Sequence, residues 1–412
     1  MTSTQPFLLR AALYCTFGSA VAILFSIAAS QTLLALAVAA LLFSGAKLRL
    51  PPIWLPLSVF LLGTVVSLIF SGDPAAGLPQ IRKFLVFLTL LVVYSTLRDL
   101  VTVRRLFYCW AIAGAATAAW GLVQFARKLH EAHALGMKFY EYYTGDRITG
   151  AMSHWMTFGG EEMFVLLMVG AYLFFGPARR SKELWPWLVC GMLLMAALVL
   201  GQTRSIWLGT LVGGLYLIWF WKRPVVLALP LALAALVLLG PSSVRERFVS
   251  LFRPHQGVDS NRFRVVTWRT GLRMIEAHPW LGLGPEEPRI QFNNYVPADI
   301  PRPLPIGSYI HLHNIYLEYA AERGIPTLLA LMWMLIKILV DFTRALYSLP
   351  AGRSDRRYIL RGAVAVVVAA MASGFFEYNL GDSEVLTMFL VAVACGYTGV
   401  FAGAGQTESA SA

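Results

Sequence analysis

Charged residues are scarce in this chain, and their scarcity excludes an ordinary soluble domain. Only 14% of the 412 residues are charged, whereas 58% are hydrophobic, and the mean hydropathy is +0.64. Soluble globular proteins carry roughly one charged residue in four. The apolar segments are about twenty residues long and lack the alternating pattern of a membrane β-barrel. The sequence therefore predicts an all-α integral membrane protein.

Cysteine and the common cofactor motifs are almost missing as well. The four cysteines all lie in or beside apolar spans, so the long polar segments have none to form disulfides. The sequence contains no Walker or Rossmann glycine pattern, and the pair His311 and His313 lacks the further ligands of a zinc site. We therefore expect no metal, no cofactor and no nucleic-acid partner.

Apolar spans predict about twelve transmembrane helices. The first span is interpreted as a retained helix, although its "SIAAS" leaves a cleavable signal peptide open. The spans cover residues 12–29, 32–45, 54–71, 84–97, 105–126, 158–176, 185–201, 205–221, 225–240, 315–343, 359–376 and 384–403.

Basic residues in short loops predict the orientation of these helices. The positive-inside rule makes such loops cytoplasmic, together with both termini. The basic loops cover residues 47–49, 98–105, 179–182, 222–223 and 353–357. The predicted organisation is nine helices in 1–240 with an outer segment at 127–157, a periplasmic loop at 241–314, three helices in 315–403 and a cytoplasmic tail at 404–412.

The longest outer segment lacks lysine altogether. Residues 241–312 contain nine arginines and not one lysine. Arginine binds a phosphate through two parallel hydrogen bonds and keeps its charge when partly desolvated. This preference favours an anionic ligand, such as a phosphate or pyrophosphate, over a solvated basic surface, which stays open as the alternative.

Within this segment, residues 260–279 predict an amphipathic helix that ends before Pro279. Its polar face carries several arginines, and the next face combines Arg264 with Trp268. A helix lying on the membrane surface would explain the polar face but would not need an arginine on its apolar side. Arg264 is therefore the stronger candidate for a functional role.

Other polar residues fall at the outer ends of apolar spans. Arg204 occupies a tight connection in "LGQTRSIWLG", and "GDRITGAMSHWMTFGG" combines Arg147 with His154. The stretch "EYNLGDSEV" at 377–385 adds acidic residues on the same predicted side. The candidate substrate-binding residues are Arg82, Arg147, His154, Arg204, Arg264, Arg289, His311 and Asn314.

Four segments, taken in order, resemble the O-antigen ligase and polymerase superfamily of lipopolysaccharide synthesis. They are "RITGAMSHWMTF", "QTRSIWLG", "RVVTWRTGLRMIEAHPWLGLGP" and "HLHNIYLEYAAERGIPTLL". The sequence is most similar to the WaaL-type ligases. The resemblance implies a GT-C-type membrane glycosyltransferase with a large helical periplasmic loop, in the bacterial inner membrane, with its active site facing the periplasm.

The resemblance also implies an activity and roles for particular residues. The implied reaction is the metal-independent, inverting transfer of a polysaccharide from undecaprenyl pyrophosphate to the lipid A core, among membrane lipids. By position, the family's histidine falls on His313, its loop arginine on Arg264 and its helix-end arginine on Arg204. Imidazole is a suitable proton acceptor near neutral pH, so His313 is predicted to be the catalytic base.

Two questions stay open at the level of sequence. A helix beginning near Ser308 would place His311 on a different face from His313, and His311 or Asn314 would then orient the substrate. The function could also be that of a polymerase or a protein O-oligosaccharyltransferase, which use the same donor, or that of a transporter or flippase for an anionic lipid. A transporter is disfavoured because the span centres contain few ionisable residues.

Overall fold

Helices account for all regular structure in the part of the chain that the structure, a computed structural model, describes. The described residues are 4–177, 181–250, 260–305, 307 and 309–402. The α-helices are α1 Thr4–Ala22, α2 Ile27–Phe43, α3 Trp54–Ile69, α4 Pro74–Arg82, α5 Phe84–Thr96, α6 Leu100–Ala134, α7 Phe139–Gly145, α8 Trp155–Phe175, α9 Ser181–Leu200, α10 Arg204–Trp221, α11 Leu229–Leu239, α12 Ser242–Val249, α13 Ser260–Ala277, α14 Glu287–Ile290, α15 Phe292–Tyr295, α16 Ile315–Tyr347, α17 Asp355–Gly374 and α18 Ser383–Phe401. Short 3-10 helices lie at Arg223–Ala228 and Asn379–Gly381. The predicted tail 404–412, residues 179 and 180 of a predicted basic loop, and Ser308 lie outside the described residues.

Six helical stretches of the described chain are long and apolar enough to cross a membrane. Four shorter apolar helices lie in α1, α2, α3 and α9. The prediction of an all-α, multi-pass membrane protein is therefore confirmed, whereas the count of twelve spans and the GT-C class stay predictions. The six stretches are Pro74–Thr96, Leu100–Ala134, Trp155–Phe175, Ile315–Tyr347, Asp355–Gly374 and Ser383–Phe401.

The predicted first span, 12–29, runs across a break between two helices. α1 already ends at Ala22, and α2 begins at Ile27. The hydroxyl of Ser26 accepts a hydrogen bond from the amide of Ala29 at 3.3 Å. A serine cap starts a new helix even inside an apolar run, so hydropathy alone misplaced this boundary.

The predicted ninth span, 225–240, contains a helix that is too short to cross a membrane by itself. α11 has 11 residues and follows directly on the six-residue 3-10 helix Arg223–Ala228. Together the two helices rise about 28 Å, close to the ~30 Å thickness of a bilayer core.

The centre of the bundle is formed by α8, α17 and α18, most of whose residues are buried. α17 packs against α8, α10, α16 and α18. The starts of four helices meet at one end of this bundle, where Met156 of α8, Ile206 of α10, Glu318 of α16 and Val385 of α18 line one cavity. We call this end of the bundle the site end.

A glycine-rich turn at residues 279–285 fastens the loop that carries α13 to a break in α16. α16 is interrupted at Gly324, whose φ is +77°. The amide of Leu283 donates to the carbonyl of Ala321 at 2.8 Å. A Cβ at Gly282, whose φ is +70°, would lie 2.3 Å from a backbone carbon of α16. The two backbones can therefore approach only because this residue is glycine, and their contact holds α13 over the site end.

Candidate active site

A cluster of arginines surrounds the tight turn between α9 and α10. The carbonyl of Gln202 accepts hydrogen bonds from Arg147 Nη1 at 3.4 Å and from Arg247 Nε at 3.0 Å. Gln202 has a φ of +51°, which turns its carbonyl away from the helical direction. Arg204 begins α10 directly after this turn. The turn therefore gathers three guanidinium groups at the site end.

Arg204 also ties the turn to Ser250 at the end of α12 and to Asn261 in the first turn of α13. Its Nη1 donates to Asn261 Oδ1 at 3.0 Å, and its Nη2 hydrogen-bonds the hydroxyl of Ser250. The predicted amphipathic helix is present as α13, Ser260–Ala277. Arg264 lies on its inner face and is partly buried, whereas Arg262 and Arg269 on the other face are exposed.

Arg147 and Arg264 remain positively charged, although Arg147 is buried and Arg264 is partly buried. Burial, together with the charge of Arg247, lowers the pKa of Arg147 to about 9, and burial also lowers the pKa of Arg264, a shift that Glu377 opposes. Both guanidinium groups stay protonated at neutral pH. The Nε atoms of Arg147 and Arg264 are buried without a hydrogen-bond partner among the described residues. Two N–H donors are thus available to an anionic ligand.

Glu377 connects the arginine cluster to the histidines. Its Oε1 accepts hydrogen bonds from Ser205 Oγ at 3.2 Å and from Arg264 Nη2 at 3.4 Å. Its Oε2 lies 3.7 Å from His313 Nδ1. Burial alone would raise the pKa of Glu377, but His313 and Arg264 outweigh it and hold this pKa below its usual value. The carboxylate is therefore ionised and positioned to orient the imidazole of His313.

The two histidines lie in the turn before α16 and not on the helix. α16 begins at Ile315, and Asn314 caps it by accepting hydrogen bonds from two backbone amides. The prediction of a helix that includes both histidines is therefore wrong. His313 has a φ of +50°, and the rings of His311 and His313 lie only 4.0 Å apart. The two rings are therefore neighbours in one site. The side-chain oxygen of Asn314 is occupied by its hydrogen bonds from the backbone amides of Tyr316 and Leu317.

The two imidazoles differ in which nitrogen can accept a proton. The Nδ1 of His311 accepts a hydrogen bond from the backbone amide of His313 at 3.3 Å. Burial and the neighbouring His313 lower the pKa of His311 to about 4, so it is neutral and carries its proton on Nε2. The Nδ1 of His313 faces Glu377, which leaves Nε2 of His313 as the proton acceptor. The arrangement makes His311 a hydrogen-bond donor and His313 a base.

A cavity of about 280 Å³ adjoins this histidine pair. His154 and His311 line it, as do the carboxyl groups of Glu286, Glu377 and Asp382. His154 also caps α8, because its Nδ1 accepts a hydrogen bond from the amide of Met156. Carboxylates and imidazoles together accept and donate hydrogen bonds, which suits a ligand rich in hydroxyl groups.

Two predicted residues are not part of this arrangement. The side chain of Arg82 is exposed, and its neighbour Lys83 lines the cavity, with Nζ donating to the carbonyl of Gly381 at 2.7 Å. Arg289 is half exposed and lies 3.8 Å from Glu286. The structure brings the remaining candidates, Arg147, His154, Arg204, Arg264, His311, His313 and Asn314, to the site end.

Three residues of the site, Arg247, Glu377 and Asp382, were not among the predicted site residues. Arg247 was one of nine arginines in its segment, and its distinguishing feature, a bond to Gln202, arises only on folding. Glu377 and Asp382 belong to the acidic stretch at 377–385, whose position before an apolar span was the available signal. In the residues for which coordinates are described, no three His, Cys, Asp or Glu side chains are grouped as metal ligands.

The fold and this site define a class of protein: a multi-pass α-helical membrane protein with buried arginines and a histidine–carboxylate pair at one end of its bundle. The O-Antigen ligase family model matches residues 188–332, which include most of α9, all of α10 and α13, and both histidines. This match confirms the resemblance seen in the sequence: the segment is similar to the O-antigen ligase family. Among curated proteins, none is significantly similar to the chain.

Proposed function

We propose that the protein is an O-antigen ligase, which transfers O-antigen polysaccharide from undecaprenyl pyrophosphate to the lipid A core at the periplasmic face of the bacterial inner membrane. The observation that carries the proposal is the placing of buried arginines beside a histidine oriented by a carboxylate. A sugar pyrophosphate is already activated. The enzyme therefore needs cations for the leaving group, a base for the attacking hydroxyl and close positioning of both substrates.

In the proposed reaction, one hydroxyl of the acceptor sugar attacks the anomeric carbon of the donor. The new carbon–oxygen bond forms as the bond to the pyrophosphate oxygen breaks, and that oxygen keeps the electron pair. Attack from the side opposite the leaving group inverts the anomeric configuration. His313 Nε2 takes the hydroxyl proton, and Glu377 stabilises the imidazolium that results. Arg204, Arg264 and Arg147 neutralise the departing pyrophosphate, which removes the need for a metal ion.

The cavity beside His311 is assigned to the acceptor. Glu377 separates it from the arginine cluster, so donor and acceptor approach the reacting centre from different sides. Neutral His311 would donate its Nε2 proton to an acceptor oxygen, and the carboxylates would accept hydrogen bonds from sugar hydroxyls. Tyr378 offers an aromatic wall to a sugar face.

The test is analysis of lipopolysaccharide from a strain of the source bacterium that lacks this gene. A ligase defect leaves lipid A core without an O-antigen ladder, and polymer accumulates on the carrier lipid. The wild-type gene should restore the O-antigen ladder, and a variant that lacks His313 should not; this result would support both the proposed activity and the role of His313. Normal lipopolysaccharide in the deletion strain would contradict the proposal.

The same analysis separates the other candidates. A polymerase shares the donor and the family match, and its loss leaves a core that carries a single repeat. A protein O-oligosaccharyltransferase would leave lipopolysaccharide unchanged. A flippase would trap precursor on the cytoplasmic side. The structure adds one feature that a transporter could use, because Glu161 and Glu162 are fully buried in α8, where Glu162 accepts a hydrogen bond from Thr117 at 2.6 Å.

A further inference from the structure

α9 and α10 separate as they leave the turn that gathers the arginines. Both helices pack against α8, but they barely contact each other. A cleft of about 600 Å³ lies over α8 between α9 and α11, and it is open to the side of the bundle. Leu166 and Gly170 of α8 lie on its floor, and Leu236 of α11 contributes to its opposite wall. Every residue that lines the cleft is apolar or glycine.

The cleft is long, and it ends at the arginine cluster. Its α9 wall runs from Leu188 to Leu200, a rise of about 18 Å along a helix. The carbonyl of Leu200 accepts a hydrogen bond from Tyr143 at 2.7 Å, and two residues later Gln202 accepts the bonds of Arg147 and Arg247. An apolar furrow is therefore continuous with a cationic pocket, as a ligand with an anionic head and one long apolar chain requires.

We propose that this cleft, which residues of α8, α9 and α11 line, holds the isoprenoid chain of the lipid-linked donor, with the donor's pyrophosphate at the turn that contains Gln202. The identity of this ligand rests on the proposed function. A polyprenyl pyrophosphate has one chain on an anionic head, and the cleft is a single furrow that ends at a cationic site. Met192 and Met195 of its wall have flexible side chains that can adapt to the methyl branches of an isoprenoid.

Filling the cleft with a large side chain tests this assignment. A Cβ at Gly170 would have its nearest neighbour, a side-chain atom of Leu217, at 3.5 Å, and a Cβ at Gly191 would have one of Val169 at 3.4 Å. Both are ordinary contacts, so Gly170→Trp and Gly191→Trp extend an indole into the cleft. Gly214→Trp on α10 is the matched control, because a Cβ there meets nothing within 4 Å.

The purified full chain is given two donors that carry the same saccharide, one on undecaprenyl pyrophosphate and one on the two-isoprene geranyl pyrophosphate. We expect the cleft variants to lose at least about tenfold in kcat/KM with the long donor, because its chain can no longer be buried. Activity with the short donor should stay within about twofold of wild type, which also shows that the variants are folded. The control should match wild type with both donors. Equal activity of the cleft variants and wild type on the long donor would overturn the proposal.

A binding experiment separates failure of this proposal from failure of the proposed function. Undecaprenyl pyrophosphate with a photoreactive group on one of the isoprene units near its pyrophosphate is cross-linked to the wild-type protein, and the modified peptides are identified. The expected result is cross-links within 188–200 that disappear when unlabelled undecaprenyl pyrophosphate is added but persist with excess phosphatidylglycerol. Such cross-links would support binding of the chain in the cleft even if no sugar transfer is found. Equal competition by phosphatidylglycerol would show an ordinary lipid site and overturn the assignment.

Discussion

Arg264 is the arginine that joins the cationic cluster to the histidine–carboxylate pair. Its Nη2 donates to Glu377 and to the carbonyl of Phe376, while its Nε stays buried and without a partner among the described residues. A lysine has the same charge but lacks the planar fork whose separate N–H groups can reach Glu377 and a phosphate oxygen in fixed directions. We expect Arg264→Lys to lower kcat/KM for ligation by at least about tenfold.

The matched control for this substitution is Arg269→Lys on the same helix. Arg269 is exposed and forms a surface ion pair with Asp299 at 2.8 Å, a type of contact that solvent and salt screen strongly. Its lysine variant should keep wild-type activity. Both variants are assayed in proteoliposomes, and their thermal unfolding is compared to confirm folding. Equal activities of the two variants would show that Arg264 does not bind the donor and only anchors α13 at the surface.

The histidine pair yields a second prediction for single residues. His313 faces Glu377 and keeps Nε2 free, whereas His311 has its Nδ1 occupied by the backbone. In single-turnover assays with saturating donor, His313→Ala should slow the chemical step by roughly 10²- to 10⁴-fold, the usual contribution of a general base. His311→Ala should act mainly on acceptor affinity. If His311→Ala alone abolished the chemical step, the roles of the two histidines would be reversed.

At the scale of helices, the contact between the 279–285 turn and the break in α16 sets the position of α13. Gly282 and Gly136 both have positive φ, +70° and +62°, but a Cβ would meet backbone at Gly282 and nothing within 4 Å at Gly136. Gly136→Ala should cost about 1 kcal/mol of backbone strain. Gly282→Ala should cost more and also lower activity, since it displaces the loop that carries Arg264.

The melting temperature and the ligation rate of the purified variants check this expectation. A larger fall in melting temperature for Gly282→Ala, with a loss of activity that Gly136→Ala does not show, is the expected result. Equal effects of both substitutions would mean that the turn does not fasten the loop to α16.

Sequence patterns predicted a helix well where hydrophobic periodicity determines its buried face, and poorly where a capping residue determines its first residue. α13 follows the predicted amphipathic pattern because its apolar face packs against α16. The apolar pattern placed the start of α16 correctly at residue 315, but the helix expected to begin near Ser308 was wrong, because the residues before Asn314 form a turn. The signal was Asn314, a preferred cap residue, just before the apolar run.

At the scale of the whole molecule, composition alone was enough to predict an all-α membrane protein, because a bilayer leaves few alternatives to helices. The site could be predicted only in part. Arg147, Arg204, Arg264 and His313 carried recognisable local motifs, but their link through Glu377 depends on the packing of α17 beside α10 and α16. Contacts between residues this far apart in the chain leave no local pattern to read.

The two ends of the bundle differ in a way that predicts the orientation in the membrane. The site end carries the long loop with Asp299 on its surface, as the ion pair with Arg269 of α13 indicates. Arg356 lies near the start of α17, whereas Glu377 follows its end, so the two are separated by about 30 Å along the helix. Arg356 also donates to the carbonyls of Gly399 and Val400 at the end of α18. The end of the bundle away from the site is thus the one with the short basic loops, which the positive-inside rule assigns to the cytoplasm.

Reporter fusions test this orientation directly. Alkaline phosphatase, which is active only in the periplasm, should be active when fused after Asp299 and inactive when fused after Arg356. A green fluorescent protein of the kind that folds only in the cytoplasm should give the opposite pattern, and it serves as the control for expression of each fusion. The orientation is decisive for the proposed chemistry, because the pyrophosphate of the donor and the sugars of the lipid A core meet only on the periplasmic side. Fluorescence at Asp299 with phosphatase activity at Arg356 would place Arg204, Arg264 and His313 in the cytoplasm and rule out ligation by this site.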